Sequence, residues 1–300
     1  MKEDLMSAMD EAKAALAELL ENAKTGNIIP VRLPGQVEAL QELVLQAEAE
    51  HADAIKTLKN QPGGDAGEIM ADNAEFMKTA IHELRIPMTS IRGYGDMLAN
   101  PAMTGGLNEM QGQMLEVIRT NTKRMEGLLS DMSYINKIRA GILQINSKMD
   151  MFKNIALMAE KATRPLAEEL DRQLEFDIPQ GLPILTTDGE MFAQAMIKLI
   201  ENGLRYSPQG EGKVTVSGGN ADGALTVIIA DNGIGITPED QARLGELYFR
   251  ADHDVVRDYK GSGLGIPIAF GLVEALGGTI SLESQPDQGT RFTISIQGMR

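Results

Sequence analysis

Two glycine clusters, an aspartate, an asparagine and a histidine supply the residue types from which phosphate chemistry can be built. The run ALTVIIA leads into DNGIGI, residues 231–236. An aspartate at a strand end is ordinarily a turn former. Here Gly233 and Gly235 follow it and would let backbone approach a ligand closely. The second cluster, GSGLG at 261–265, opens an apolar helical stretch. Backbone N–H groups at a glycine-rich helix start make a site for anions such as phosphate. Upstream, MFAQAMIKLIENGLRYSP ends on Asn202, Arg205 and Tyr206. A neutral amide oxygen can hold Mg2+, and the metal bridges phosphate oxygens. Asn202 alone reads as a helix-end residue. The ordered set favours a nucleotide site: Asn on a helix, Asp and glycines after a strand, glycines before a helix. Neither cluster is GxGxxG, because Ile266 stands where the third glycine would be. GxxxxGK[ST] is absent, so dinucleotide and P-loop readings fail on spacing.

The chain has 3 histidines. His51 and His253 read as surface or packing residues. His82 directly follows Ile81, a position on an apolar helical seam. It therefore sits at the flank of its helix, within reach of another domain. Neutral imidazole is a competent nucleophile, and the phosphoramidate it forms can be passed on.

These residues need two kinds of support. Met77, Ile81, Leu84, Met88, Ile91 and Leu98 step by four and three, with Gly95 filling the remaining place, which predicts a helix over 70–99. NPAMTGG reads as a turn. Met114, Ile118, Asn121, Met125, Leu128, Met132 and Ile135 repeat the pattern and predict a second helix over 108–139. One antiparallel hairpin cannot bury both seams, whereas two can as a four-helix bundle, so a homodimer is expected. Pro87 should bend the first helix just after His82. From about 150 the pattern becomes mixed. Strands are predicted for QLEFDI, KVTVSG, ALTVIIA, TISLES and RFTISI, and helices at about 155–170, 189–204 and 266–276. This predicts an α+β layer, a sheet covered by helices on one face. Residues 1–60 read as helices, and QPGGDAG at 61–67 as a linker.

The formal net charge is −15. That leaves no general electrostatic route to nucleic acid, and none is expected as a partner. Zero cysteines exclude disulfides and Cys-ligated metals and suit a reducing compartment. No apolar run reaches the roughly 18–20 residues of a membrane span, so no membrane segment and a cytoplasmic location are expected.

Residues 70–300 resemble the two-domain core of sensor histidine kinases. FMKTAIHELRIPMTSIRGYGDML resembles the family's H box, IENGLRYSP its N box and DNGIGI its G1 box. LYFRAD is a weak F box, GSGLGIPI resembles the G2 box, and GGTISLESQPDQGTRFTI the sheet-closing tail. The resemblance implies a helical hairpin forming a dimeric four-helix bundle, then an α/β-sandwich of the Bergerat, GHKL type. It divides the chain into 1–66, of unknown role with signal input as a guess from position; 67–148, for dimerisation and histidine phosphotransfer; and 149–300, for ATP binding and catalysis. ATP and Mg2+ would be the cofactors, and a response regulator receiver domain the partner. His82 would be the phosphoacceptor, with Glu83 orienting the ring and taking its proton. Asp231 would accept from the adenine amino group, and Asn202 would hold Mg2+. Gly233, Gly235, Gly261, Gly263, Leu264 and Gly265 would line the pocket, and Arg205, Tyr206 and Arg250 would contact nucleotide. Residues 237–260 would form a mobile lid.

The chain departs from the family pattern in four places. Ile86 replaces the Thr or Asn one turn after the histidine, which predicts weak phosphatase activity. Lys198 replaces the first Asn of the N box, Gly245 and Leu247 replace F-box phenylalanines, and no recognisable sensor domain precedes the helices. A chaperone- or repair-type ATPase would give no reason for HELRIP on a seam helix. A dimeric non-enzymatic scaffold or phosphotransfer protein with a degenerate ATP domain is the other alternative, and it conflicts with the intact Asn202, Asp231 and glycine clusters.

Overall fold

The computed structural model describes residues 66–259 and 261–298, with the side chains at 66–78, 80, 83 and 87 outside that description. The helices and linker expected before residue 66, and with them His51, lie outside it. So do the side chains of Met77, Glu83 and Pro87, and with Pro87 the bend expected after His82. The chain separates into two compact units, one ending at Asn136 and the other starting at Lys137.

The first unit is a helical hairpin. Helix α1, Ala66–Ala99, runs unbroken for 34 residues. The expected turn after it contains a single helical turn, α2, Pro101–Thr104. Asn100 caps its start by accepting from Ala102 N, and Gly105 ends it at φ 74°. Helix α3, Glu109–Arg139, returns. Its direction is fixed by Arg92–Glu126 at 3.0 Å and Arg119–Asp96 at 3.3 Å. On α1, Ile81, Met88 and Gly95 are buried at heptad spacing, as the seam predicts, while Leu84 and Ile91 are half-buried. On α3 the buried line is Leu115, Thr122 and Leu129, one position away from the predicted Met114, Asn121 and Leu128. Predicted positions Ile118, Met125 and Met132 are half-buried, and Ile135 is buried. A second line, Met110, Met114 and Val117, is 60 to 67% exposed in the single chain.

The second unit is the α/β layer. A two-stranded ribbon pairs β1, Lys148–Met151, with β3, Ile184–Thr187. Neither was predicted. The main sheet holds β2, Gln173–Asp177, β4, Lys213–Ala221, β5, Ala224–Asp231, β6, Thr279–Ser284, and β7, Thr290–Gln297. Its order is β2-β4-β5-β7-β6, antiparallel except for β2 beside β4. Val214, Val216, Leu225, Val227, Ile229, Phe292, Ile294 and Ile296 are buried on one face. Thr215, Ser217, Thr226, Thr293 and Ser295 alternate with them on the other.

Helices α4, Phe152–Glu169, α5, Gly189–Tyr206, and α8, Gly265–Ala275, cover the apolar face. α5 is central and packs on α4, α8, β4 and β5. Asp188 caps it, accepting from Met191 N at 3.1 Å, and Phe192, Met196, Leu199, Ile200 and Leu204 bury its inner face. Two short helices, α6, Pro238–Gln241, and α7, Asp254–Asp258, lie between β5 and α8.

Candidate functional site

The last turn of α5, the end of β5 and the start of α8 meet at one end of the second unit. Buried Gly203, the residue after Asn202, makes the close approach possible. A Cβ built there would lie 3.0 Å from Val214 Cγ2, 3.2 Å from Asp231 Cβ and 3.4 Å from Asp231 Oδ2. Asn202, one residue earlier, points about 100° round the same helix end. A Cβ on Gly265, the first residue of α8, would lie 3.7 Å from Asn202 Nδ2 and 3.9 Å from its Oδ1. The carboxylate of Asp231 and the amide of Asn202 therefore flank one helix terminus. The amide looks toward the start of α8, where backbone N–H groups lack intrahelical acceptors.

The Asp231 carboxylate is held by one oxygen. Oδ1 accepts from Gly233 N at 2.8 Å and from Thr290 N at 3.2 Å. Burial pushes its pKa up from 3.8 to about 6, against those two hydrogen bonds, which lower it. Oδ2 is left as an acceptor for a donor group on a ligand.

The glycines after it are sterically required. A Cβ on Gly233 would lie 2.6 Å from Tyr206 O, and one on Gly235, at φ 64°, would lie 1.8 Å from Gln285 O. In the second cluster, Gly263 presses on the backbone of Tyr248 and Phe249, with the nearest atom 2.6 Å from a built Cβ. Gly261 borders Arg250, whose Nε would be 4.0 Å from a built Cβ. Leu264 carries its side chain into the core at 1% exposed, while its N–H donates to Ser262 Oγ at 3.3 Å and its carbonyl accepts from Ile268 N at 3.0 Å.

The other expected contacts are placed as follows. Arg205 and Tyr206 are half-buried on the last turn of α5. Tyr206 accepts from Ile234 N at 3.1 Å through its carbonyl, and its ring meets Tyr259 edge-on at 6.2 Å. Arg250 donates to the carbonyls of Val256 and Tyr259, so its guanidinium ties together residues 250–259. His82 is exposed on α1, in the other unit, with Ile86 one turn later 55% exposed. Ile86 is thus no part of the buried line of its own hairpin.

Sequence reasoning missed Gly203, Ser284, Gly289 and Thr290. A Cβ on Gly289, at φ 79°, would lie 2.0 Å from Asp231 O. Only the DQGT turn hinted at this, because Ser and Thr in strands are otherwise ordinary.

Among the described residues no group of three His, Cys, Asp or Glu side chains could hold a metal. One amide oxygen, that of Asn202, faces the start of α8. This donor set fits Mg2+ only as the partner of a phosphate ligand, since Mg2+ keeps few protein ligands and takes the remainder from phosphate and water.

Residues 72–141 match the His Kinase A (phospho-acceptor) domain. Residues 187–298 match the histidine kinase-, DNA gyrase B-, and HSP90-like ATPase domain. Histidine protein kinase DivJ of Caulobacter vibrioides is 29% identical over 260 residues, 87% of this chain and 42% of its own length. Autoinducer 2 sensor kinase/phosphatase LuxQ of Vibrio cholerae is 26% identical over 279 residues, 90% of this chain and 31% of its own. The chain thus spans less than half the length of these relatives. The full-length crystal structure of ShkA in complex with AMPPNP superposes with a TM-score of 0.62 at 21% identity, covering 75% of this chain and 46% of that one. The Acinetobacter baumannii histidine kinase AdeS gives 0.51 at 24%, covering 73% of this chain and 98% of that one. At these identities the two structures establish the fold.

The raised pKa of Asp231 sets a pH dependence. The folded state holds this proton more tightly than the unfolded chain does, so stability falls as pH rises through the window from 3.8 to about 6. Ionised Asp231 then costs about 3 kcal/mol at neutral pH. Asp231→Asn keeps an Oδ1 that can accept both backbone bonds and removes the charge. Denaturant titration should show the variant gaining stability over wild type between pH 4 and 7 by about 2 kcal/mol. A difference that stays flat over that range would contradict the burial argument.

Proposed function

This chain belongs to the sensor histidine kinases, and on that premise we propose that it binds ATP, phosphorylates its own His82 and passes the phosphoryl group to an aspartate of a response regulator receiver domain. The observation that carries the ATP site is the meeting of Asn202, Asp231 and the start of α8 at one helix terminus. Asp231 Oδ2 accepts a hydrogen bond from the exocyclic amino group of adenine. The first N–H groups of α8 face the phosphates, with Gly261, Gly263 and Gly265 letting backbone come close. Asn202 would hold Mg2+, which when bound neutralises charge on the phosphates. Arg205 and Tyr206 line the same helix end, and Arg250 shapes the lid over it.

In the transfer, a ring nitrogen of His82 attacks the γ-phosphorus. The bond from that phosphorus to the bridging oxygen breaks, and ADP leaves with its electrons. The proton on the other ring nitrogen passes to a base, which the family resemblance assigns to Glu83. The resulting N–P bond is then broken by a carboxylate oxygen of the regulator's aspartate. The exposure of His82 supports access by both the nucleotide and the regulator.

The hairpin is proposed to act as a homodimer. Met110, Met114 and Val117 leave an apolar line beside the buried Leu115, Thr122 and Leu129, and a second hairpin would cover it. No helix among the described residues is long and apolar enough to cross a membrane. A cytoplasmic location is proposed on the lack of cysteine.

Incubation of wild type with γ-labelled ATP should leave an acid-labile, alkali-stable label, which His82→Ala abolishes while calorimetric ATP binding persists. Wild-type labelling in that variant would refute His82 as acceptor. Sedimentation should give a dimer, and Met114→Glu with Val117→Glu should give a folded monomer, since both sites are exposed in one chain. A wild-type monomer at micromolar concentration would refute the bundle. Ile86 can neither donate nor accept a hydrogen bond to a hydrolytic water. Phosphorylated regulator should therefore decay at its own rate in the presence of the wild-type protein, and faster with Ile86→Thr. Fast decay with wild type would show that another group places the water.

A further inference from the structure

The segment after DNGIG is fastened to the end of β6 by two side chains to which no role has yet been given. Ser284, the last residue of β6, has a hydroxyl with three partners. Ile236 N donates to its Oγ at 2.9 Å, Gly289 O lies 2.8 Å away and Thr290 Oγ1 lies 3.0 Å away. A hydroxyl has one proton to donate and two lone pairs to accept with. The carbonyl of Gly289 can only accept and the amide of Ile236 can only donate, so Thr290 supplies the third hydrogen. Every hydrogen-bonding capacity of Ser284 is then used.

Gln241, at the end of α6, closes the same knot. Its Nε2 donates to Ile236 O at 2.8 Å and to Ser284 O at 3.0 Å. Both partners are carbonyls, so the group between them has to be the amide NH2. Both backbone polar groups of Ile236 are thus bound, one by Ser284 and the other by Gln241. From Ser284 the chain of bonds continues through Thr290, whose N–H donates to Asp231 Oδ1 at 3.2 Å. A parallel strut joins Asp287 N to Ile234 O at 2.8 Å.

We propose that Ser284 and Gln241 are positioning residues that pin the root of the 237–260 segment to the sheet, so that the hinge of the segment lies after Gln241 and the root moves as one piece with Asp231. The proposal rests on the reading of Asp231 and this segment as the base site and lid for ATP. Neither side chain need touch the nucleotide. Their effect is on where the lid starts to move and on how firmly the base acceptor is held. Loosening the root should weaken nucleotide capture while leaving the chemical step intact once ATP saturates the site.

The test uses the full chain and the variants Ser284→Ala, Ser284→Thr and Gln241→Glu. Glutamate matches glutamine in shape but cannot donate to two carbonyls when ionised. Hydrogen exchange without nucleotide should speed up at the Ile236 amide by about tenfold in Ser284→Ala and return toward wild type in Ser284→Thr. Self-phosphorylation should show KM for ATP raised about tenfold in Ser284→Ala and Gln241→Glu, with kcat within about twofold of wild type. Unchanged exchange at Ile236 in Ser284→Ala would overturn the brace. So would a loss of kcat with KM unchanged in both variants. Failure of wild type to bind ATP would overturn the functional reading, while the exchange result would still decide the brace.

Discussion

A largely buried carboxylate is the constraint on which the second unit is built. Asp231 gives up hydration, and burial raises its pKa to about 6. At neutral pH it is ionised in a place that disfavours charge, and the surroundings have to offset this without neutralising it. They do so through one oxygen only, with two backbone N–H donors on Oδ1. This explains the tight packing nearby. Gly203, Gly233 and Gly289 bring three chain segments against the same residue, and a Cβ on any of them would meet it at 3.4 Å or closer. A stretch that is costly to fold is a stretch that a donor on a ligand can stabilise.

The hairpin obeys a different rule, that of two neighbouring stripes. Ile81, Met88 and Gly95 on α1, with Leu115, Thr122 and Leu129 on α3, close the hairpin on itself. Met110, Met114 and Val117 lie one step round the helix and stay exposed. The helix spacing does not depend on Gly95 lacking a side chain, since a Cβ there would make only ordinary contacts, 3.5 Å to Arg119 Cγ and 3.8 Å to Leu115. Ion pairs at 92–126 and 96–119 are more than a third exposed on at least one partner, so they mark direction more than they contribute stability.

Much of this was legible in the sequence, for reasons that differ from element to element. The long helices were legible because a four-three repeat sustained over three heptads, 77–98 and 114–135, has no other explanation. The choice between Met114 and Leu115 as the buried line was not, because adjacent stripes of a bundle helix are both apolar. The five strands of the main sheet were read correctly, β4, β6 and β7 from the alternation of apolar with hydroxyl residues and β2 and β5 from short apolar-rich runs. β1 and β3 are four residues each, and Met149, Met151 and Ile184 on them are exposed, so alternation pointed the wrong way. Asn202 and Asp231, which the structure brings to one helix end, drew attention because glycines stand beside or near both. Ser284 and Gln241 carry no such marker. Their roles arise from pairings 48 and 43 residues apart, which no local pattern contains. Arg250 was placed at the nucleotide by the family resemblance alone, and no local pattern announced that its guanidinium also donates to the carbonyls of Val256 and Tyr259.

The overall charge raises a final physical question, since a chain of −15 must attract a nucleotide that is itself strongly anionic. Long-range steering works against such a ligand, but salt screens exposed charges beyond about 8 Å at physiological ionic strength. Recognition then depends on the last few ångströms, where the fold supplies fixed dipoles in place of net charge. The start of α8 presents the N–H groups of Gly265 and Ile266, Pro267 having none and Ile268 N being bound to Leu264 O, and the side chain nearest to Gly265 is the neutral amide of Asn202. The ionised Asp231 packs against Gly203, the residue after Asn202, and its charge makes a neutral heterocycle with an amino donor a better partner than a phosphate. The site is therefore polarised along the last turn of α5, with an acceptor for a base at one side and donors for an anion at the other. On the nucleotide reading proposed above, that polarity favours one orientation of the ligand, with the phosphates away from the Asp231 charge.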